Sequence, residues 1–270
     1  MLPRYKLIVC DLDGTLLDGQ KKISERTIGV LKHAQADGVA VAIATGRSFA
    51  MVRFFVDGLP LNGPQIVYNG AAIVDPVSGK PLYLQALPSS LVSPVLDFLR
   101  DQHVFTSYFT EDDVYVRHRS SLEFALVPPE MPPAREVGDF DEVLHLPAVK
   151  IVATATRDRI DSLRPAAEAA FADRLYVTRT DPVLLEFLHP AVSKGTALAK
   201  VMESLGLHAE QVIAFGDSHN DLELLQTAGV GVAMGNADPE VLAMADIVAE
   251  PNTDDGVAKV LESLLWSRSS

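Results

Sequence analysis

Short apolar runs alternate with amphipathic stretches at both ends of the chain. The run "KLIVC" predicts a buried strand, because it is rich in β-branched residues and is followed by aspartate and glycine. Ser24 then opens a predicted helix in which Ile28, Leu31 and Ala34 recur at helical spacing, before the strand-like run "VAVAIA". The N-terminal pattern is therefore strand, helix, strand.

The next segment indicates one short helix and a group of strands. Helical spacing in "FAMVRFFVDGL" predicts a helix directly after the motif "TGRS". The segment "PQIVYNGAAIVDPVSGKPLYLQ" predicts a strand followed by a hairpin whose turn lies around Gly79.

Near the C-terminus the alternation resumes. The segment "SKGTALAKVMESLG" predicts a helix, "QVIAFGD" a strand, "NDLELLQTAG" a helix, "VGVAMG" a strand, and "DPEVLAMA" and "DDGVAKVLESLL" two more helices. Strands that alternate with helices are typical of a parallel sheet covered by helices. We therefore predict an α/β protein with a Rossmann-like parallel-sheet core.

The middle of the chain has a different pattern. It combines strand-like runs such as "DVYVRH" and "KIVATA" with the amphipathic helix "RIDSLRPAAEAAF" and the Pro-rich loop "VPPEMPPAR". We predict a catalytic core formed by residues 1–83 and 189–270, with an α+β domain inserted at residues 84–188.

Composition limits the classes of function. The net charge of −13 and the pI near 4.9 disfavour nucleic acids and anionic membranes as partners, so any phosphate site must be a local positive region. The single cysteine, Cys10, cannot form a disulfide within the chain. The apolar run near the N-terminus is too short for a signal peptide, and none reaches transmembrane length. We expect a cytoplasmic protein.

Polar residues with chemical potential follow predicted strands or begin a predicted helix. In an open parallel sheet such positions converge beyond the carboxyl ends of the strands. They fall in four segments, which contain Asp11, Asp13, Gly14 and Thr15; Thr45, Gly46 and Arg47; Lys194; and Gly216, Asp217, Asn220 and Asp221.

Carboxylates without histidine or cysteine partners suit a hard cation, and Mg²⁺ is the simplest choice beside a phosphate. Asp11 and Asp217 are its expected ligands. The Thr45 hydroxyl, backbone amides around Gly46, the Lys194 ammonium and the Asn220 amide are residue types that bind phosphoryl oxygens, with Arg47 as a further cation.

The pair Asp11 and Asp13 predicts two different tasks. A carboxylate held beside Mg²⁺ and facing phosphorus can attack it and form an aspartyl phosphate, which we assign to Asp11. The second carboxylate protonates the departing alkoxide and later accepts a proton from water, which we assign to Asp13, in the loop beside Gly14.

These segments resemble the motifs of the haloacid dehalogenase superfamily of phosphatases, and within it the Cof-type hydrolases. "DLDGTLL" is similar to the first motif, "ATGR" to the second, "SKG" to the third and "GDSHND" to the fourth. The order of the motifs also agrees, and the resemblance covers nearly the whole chain. "YNGA", "GVAMGNA" and "DDGVA" are further matches.

The resemblance implies additional roles. The metal would also take the backbone carbonyl of Asp13, Asp221 would support the metal shell, and the amide of Leu12 would reach the phosphate. The inserted domain resembles a cap that selects the substrate. Two interpretations remain for four residues of this domain, Tyr115, Arg117, His118 and Arg119. They either face the substrate or are alternately exposed residues of an edge strand, and the second interpretation is favoured.

We therefore expect a Mg²⁺-dependent phosphatase that acts on small phosphate monoesters, such as sugar phosphates, through a phospho-aspartate. Two alternatives remain open. A phosphotransferase or phosphomutase would use the same intermediate but pass the phosphoryl group to a sugar. A signalling module would accept phosphate on Asp11 without turnover. Neither the substrate nor the oligomeric state follows from the sequence.

Overall fold

The computed structural model describes residues 4–56, 58–119 and 133–266. The chain divides into two compact units. The first comprises Met1–Tyr83 and Ser193–Ser270, and the second comprises Leu84–Val192. The second boundary thus follows Val192, whereas the sequence suggests one after Leu188. No helix in the described ranges combines the length and the apolar character needed to cross a membrane.

The secondary-structure elements have the following bounds. The strands are β1 (Leu7–Cys10), β2 (Ala40–Ile43), β3 (Gln65–Val67), β4 (Ala72–Val74), β5 (Pro81–Leu84), β6 (Phe105–Phe109), β7 (Val114–Val116), β8 (Arg135–Glu136), β9 (Lys150–Thr154), β10 (Tyr176–Asp181), β11 (Leu184–Leu188), β12 (Val212–Gly216), β13 (Val230–Ala233) and β14 (Ile247–Val248). The helices are α1 (Glu25–Ala36), α2 (Phe49–Val52), α3 (Ser89–Asp101), α4 (Arg157–Phe171), α5 (Lys194–Leu205), α6 (Leu222–Thr227), α7 (Pro239–Met244) and α8 (Gly256–Trp266).

The first unit contains a parallel sheet in the order β14-β13-β12-β1-β2. Leu7 of β1 pairs with Val212 on one side and with Ala40 on the other, and all pairings in this sheet are parallel. The α/β class is confirmed. Because β1 lies between β12 and β2, the carboxyl ends of these strands lie side by side at one edge of the sheet.

One hydrophobic core fixes this sheet against the later helices. Leu7 and Val9 of β1 are fully buried in the same cluster as Leu198 of α5, Leu224 of α6 and Val241 of α7. Burial of apolar side chains drives this packing and makes the strand ends rigid platforms for the loops that follow. Next to this core, Cys10 is a buried free thiol.

A smaller sheet of the first unit has the order β3-β4-β5. Its hairpin turn contains Gly79 at φ +68°, which confirms the predicted turn. The helix expected over "FAMVRFFVDGL" is shorter than predicted, because among the described residues of that segment only Phe49–Val52 is α-helical. Apolar residues continue around every face of that segment instead of along one stripe, and Phe54 is 75% exposed.

The second unit contains a mixed sheet in the order β10-β11-β9-β6-β7-β8. α3 and α4 contribute Leu99 and Leu163 to the core that includes Phe187 of this sheet. The interpretation of β7 as an edge strand is wrong, because β8 pairs with it. Tyr115 is buried, whereas His118 and Arg119, just beyond the strand, are exposed as expected. Most of the predicted loop "VPPEMPPAR", residues 127–132, lies outside the described residues.

Candidate active site

A buried ammonium bridges two buried carboxylates at the carboxyl edge of the parallel sheet. Lys194 Nζ donates to Asp11 Oδ1 at 2.6 Å and to Asp221 Oδ1 at 2.6 Å. The Lys194 side chain is 1% exposed and that of Asp11 is 7% exposed. Charged groups are buried this deeply only when they are paired, so these three side chains form one electrostatic unit.

The start of α5 brings Lys194 to this position. Ser193 caps the helix, because its side chain accepts a hydrogen bond from the Thr196 amide. Gly195 lets the helix approach α6 closely: a Cβ atom there would lie 2.5 Å from the carbonyl oxygen of Glu223. Local sequence thus fixes both the first residue of the helix and its depth in the protein.

The loop after β12 orients Asp221 and one further carboxylate, Asp217. Asp221 Oδ2 accepts hydrogen bonds from the amides of Asp217 and Ser218 at 3.0 and 3.1 Å. Asp217 accepts hydrogen bonds from the hydroxyls of Thr15 at 2.9 Å and of Ser218 at 3.1 Å. Asp221 therefore holds the loop and Lys194, whereas Thr15 from the β1 loop helps to aim Asp217.

Asp11, Asp217 and Asp221 fit a divalent cation. Each offers a carboxylate oxygen, and these atoms lie within 4.8 Å of one another. Burial, followed by the charge of Asp221, raises the pKa of Asp217 to about 6, and burial raises the pKa of Asp11 despite the opposing charge of Lys194. One ammonium leaves this cluster with excess negative charge. A hard cation with oxygen ligands, such as Mg²⁺, would supply the missing positive charge.

Mg²⁺ binding is expected to weaken as pH falls through about 6, because Asp217 must then lose a proton first. Between pH 7 and pH 5 this single proton lowers the affinity about tenfold. Without metal the sign reverses. Because the pKa is higher in the folded state than in the unfolded state, the folded state binds the proton more tightly. The Asp217 carboxyl therefore contributes its full stability below pH 3.8 and loses that contribution as pH rises through about 6.

Titration calorimetry with MgCl₂ in buffers of different ionisation enthalpy measures both the affinity and the protons released. Thermal unfolding of metal-free protein between pH 5 and 7 checks the opposite trend. A Mg²⁺ affinity that is the same at pH 5 and pH 7, without proton release, would contradict this assignment.

The loop after β2 adjoins the loop after β3. The Thr45 carbonyl accepts a hydrogen bond from the Asn69 amide at 2.9 Å. The Asn69 side chain in turn accepts one from Asn220 Nδ2 at 3.0 Å. Asn69 thus connects the predicted phosphate residues Thr45 and Asn220, and Gly46 follows Thr45 directly. Leu12 is buried. Its carbonyl oxygen accepts hydrogen bonds from the amides of Leu16 and Leu17, which close the loop after β1.

Asp13 occupies a different environment from Asp11. Its side chain is 46% exposed, and Arg47 donates two hydrogen bonds to it. Among the described residues, the carboxylate cluster consists of Asp11, Asp217 and Asp221 and does not include Asp13. The sequence does not predict this ion pair. Nor does it predict the positioning roles of Thr15 and Asn69, although both lie inside the motifs that carry the resemblance. Asn236, in "GVAMGNA", donates to the Gly14 carbonyl at 2.8 Å.

Replacing Gly14 with alanine is expected to displace Asp217. Gly14 has φ +83°, and a Cβ atom there would lie 2.3 Å from Asp217 Oδ2. We expect Mg²⁺ affinity to fall at least about tenfold and turnover about 100-fold, because small displacements of reacting groups have effects of this size. The matched control is Gly19→Ala in the same loop, where nothing lies within 4 Å. Equal metal affinity in the two variants would contradict the prediction.

Comparisons with known proteins give consistent results. A family model described as haloacid dehalogenase-like hydrolase matches residues 8–261. The chain is 31% identical to a 5-amino-6-(5-phospho-D-ribitylamino)uracil phosphatase of Bacillus subtilis, covering 95% of this chain and 96% of that protein. It is 30% identical to a pyridoxal phosphate phosphatase of Escherichia coli, covering 96% and 98%.

Among solved structures, a haloacid dehalogenase-like hydrolase from Bacteroides thetaiotaomicron superposes with a TM-score of 0.86 at 29% identity. The match covers 97% of this chain and 100% of that one. The similarity therefore extends over both units of the chain.

Proposed function

Because the chain belongs to the haloacid dehalogenase-like hydrolase family and is a phosphoric monoester hydrolase, we propose that it hydrolyses small phosphorylated metabolites with Mg²⁺ and a phospho-aspartate on Asp11. One observation carries the proposal: a buried carboxylate at the end of β1 lies in contact with Lys194 and beside two further carboxylates. Such a group is shielded from water, contacts an ammonium that can bind a phosphoryl oxygen, and lies beside carboxylates that would hold a divalent cation.

In the first half of the reaction an Asp11 carboxylate oxygen attacks phosphorus, and the bond from phosphorus to the ester oxygen breaks. Asp13 gives a proton to the departing alkoxide. In the second half a water molecule attacks the phosphorus of phospho-Asp11 and transfers its proton to Asp13. Inorganic phosphate leaves, and both carboxyl groups return to their starting states.

Several groups would hold the phosphoryl oxygens during both halves. These are the Thr45 hydroxyl, the amides of Leu12 and Gly46, the Lys194 ammonium and the Asn220 amide. Lys194 already neutralises part of the charge of Asp11, so it is suited to keep a phosphate dianion near a carboxylate.

The metal would be held by the side chains of Asp11 and Asp217 and by the Asp13 carbonyl, while Asp221 supports this shell through Lys194 and the loop amides. When bound, Mg²⁺ supplies positive charge that stabilises the phosphoryl oxygens and offsets the repulsion between nucleophile and substrate.

The second unit is proposed to act as the cap domain that selects the substrate. Relatives are named as phosphatases of a phosphorylated ribitylaminouracil and of pyridoxal phosphate, which supports small metabolites with one phosphate ester. We propose a cytoplasmic location, in agreement with one free, buried cysteine.

A panel of phosphorylated metabolites tests the function. The panel contains sugar phosphates, 5-amino-6-(5-phospho-D-ribitylamino)uracil, pyridoxal phosphate and p-nitrophenyl phosphate, and each compound is measured with and without MgCl₂. We expect release of inorganic phosphate over many turnovers for at least one metabolite, and none in excess EDTA. Release of less than one phosphate per protein chain would instead favour the signalling module.

The phosphotransferase alternative needs a separate measurement. Product analysis in the presence of added sugar alcohols compares transfer with hydrolysis. If a new phosphate ester forms faster than inorganic phosphate, the chain is a phosphotransferase or phosphomutase that uses the same intermediate.

A further inference from the structure

A two-point ion pair joins the proposed acid/base residue to the loop after β2. Arg47 Nε donates to Asp13 Oδ2 at 2.6 Å, and Nη2 donates to Asp13 Oδ1 at 2.7 Å. Both oxygens of the carboxylate are therefore engaged by one guanidinium. Two parallel, charge-assisted hydrogen bonds of this kind are among the strongest and most directional contacts between side chains.

The structure holds the arginine more firmly than the aspartate. The Arg47 side chain is 12% exposed, whereas that of Asp13 is 46% exposed. The guanidinium carbon lies 4.6 Å from the centre of the Phe55 ring, and the Arg47 amide donates to the Thr45 hydroxyl at 3.2 Å. Arg47 is thus fixed beside a residue that we assign to the phosphate, and Asp13 is the partner with more freedom to leave.

This pair conflicts with the chemistry proposed for Asp13. To give a proton to the leaving oxygen, Asp13 must carry that proton on a carboxyl oxygen that faces the substrate, whereas both of its oxygens here accept hydrogen bonds from Arg47. The same guanidinium fork matches two oxygens of a phosphate as well as it matches a carboxylate, and a phosphate dianion carries more charge. An arriving substrate would therefore compete directly with Asp13 for Arg47.

We propose that Arg47 is a phosphate-binding residue that exchanges partners during the catalytic cycle, an inference that rests on the proposed function. In the resting enzyme it binds Asp13 and keeps this carboxylate away from the substrate. When a phosphate ester arrives, the guanidinium transfers its two hydrogen bonds to phosphoryl oxygens. The released Asp13 takes up a proton from solvent and turns to the leaving group, and after inorganic phosphate leaves it returns a proton to solvent and pairs with Arg47 again. Only a bound phosphate frees the acid/base residue, so binding and proton transfer are coupled.

A double-mutant cycle on inorganic phosphate binding tests the exchange. Titration calorimetry with saturating MgCl₂ measures the dissociation constant for the wild type, Arg47→Met, Asp13→Asn and the double variant. If Arg47 contacts phosphate, R47M weakens binding about tenfold or more in the D13N background, because in that background the arginine has no competing carboxylate. The loss in the D13N background is at least as large as the loss in the wild type.

The opposite result is equally clear. If Arg47 acts only on Asp13, R47M has no effect on phosphate affinity once Asp13 is asparagine, and the exchange is overturned. Arg47→Lys retains the charge but loses the fork, and we expect at least a threefold loss in the D13N background. This variant also carries the test if R47M does not fold.

Lys21→Met is the matched control. Lys21 Nζ lies over the same Phe55 ring at 5.7 Å, so its removal deletes a nearby positive charge of the same region. We expect phosphate affinity within twofold of the parent in both backgrounds. A loss equal to that of R47M would show a general field effect and overturn the specific contact.

Failure of this inference can be told apart from failure of the proposed function. If the wild type releases no phosphate from the panel and binds none with MgCl₂, the proposed function fails. If the wild type does both, but the effect of R47M vanishes in the D13N background, only the exchange of partners fails.

Discussion

Replacing Asp11 with asparagine abolishes turnover, with an expected loss of at least about 10⁴-fold, because the amide cannot attack phosphorus. The change is nearly isosteric, and burial, followed by the charges of Asp221 and Asp217, raises the pKa of Asp11 against the opposing effect of Lys194. Removing one carboxylate from this crowded cluster relieves repulsion. The metal-free variant is therefore expected to unfold at a temperature no lower than that of the wild type.

Two measurements check this result. Release of inorganic phosphate reports turnover, and a ³²P-labelled substrate reports the covalent intermediate, which hydroxylamine cleaves because it is an acyl phosphate. The wild type is expected to show a labelled chain after rapid acid quenching, and D11N none. Asp112→Asn, at an exposed position of the second unit, is the matched control. Labelling of D11N at the wild-type level would assign the nucleophile elsewhere.

Replacing Lys194 with methionine is expected to damage both stability and catalysis. Asp11 and Asp221 would lose the ammonium that bridges them at 2.6 Å on each side. Breaking a buried ion pair by removing one partner costs about 3–5 kcal/mol. Loss of a charged donor to the phosphoryl group lowers turnover by a further factor of about 10³.

The contribution of Lys194 to stability also has a defined pH range. The neighbouring carboxylates outweigh burial and raise the pKa of Lys194 above its ordinary 10.5. Its stabilising contribution is therefore complete at neutral pH and is lost only as pH rises through that higher value. Adding salt is expected to have little effect, because the pair is buried and poorly screened.

Lys200→Met is the matched control for K194M. Lys200 lies on the same helix and is exposed, and its ammonium lies over the ring of Tyr83, 4.7 Å from the ring centre. Thermal unfolding and phosphate release are measured for both variants with and without MgCl₂. We expect K200M to keep the wild-type unfolding temperature and turnover. Similar behaviour of the two variants would contradict the role assigned to Lys194.

Local sequence patterns are sufficient to predict most of the first unit. Strand β1 and helix α1 follow from side-chain periodicity and from the cap residue Ser24, whose side chain accepts from the Thr27 amide. Each candidate residue follows a strand or begins a helix, and a parallel sheet brings such positions to one edge. The group formed by Asp11, Asp217 and Asp221 could therefore be expected before its geometry was known.

Where the sequence prediction failed, long-range packing decided the outcome. The segment after α2 contains apolar residues on every face, so periodicity cannot show where the helix ends. The alternation of polar and apolar residues in β7 favours an edge strand, yet β8 (Arg135–Glu136), later in the chain, pairs with it. Pairing between distant segments leaves no trace in a local window.

The sequence by itself determined the order of the elements, the α/β class and the residue types available for the chemistry, because these depend on local periodicity and composition. Only the tertiary structure decided that Lys194 bridges Asp11 and Asp221, and that Arg47 binds Asp13. The bridge joins positions 183 and 27 residues apart. Burial, pKa shifts and the choice of ion-pair partner depend on which groups packing brings together and removes from water.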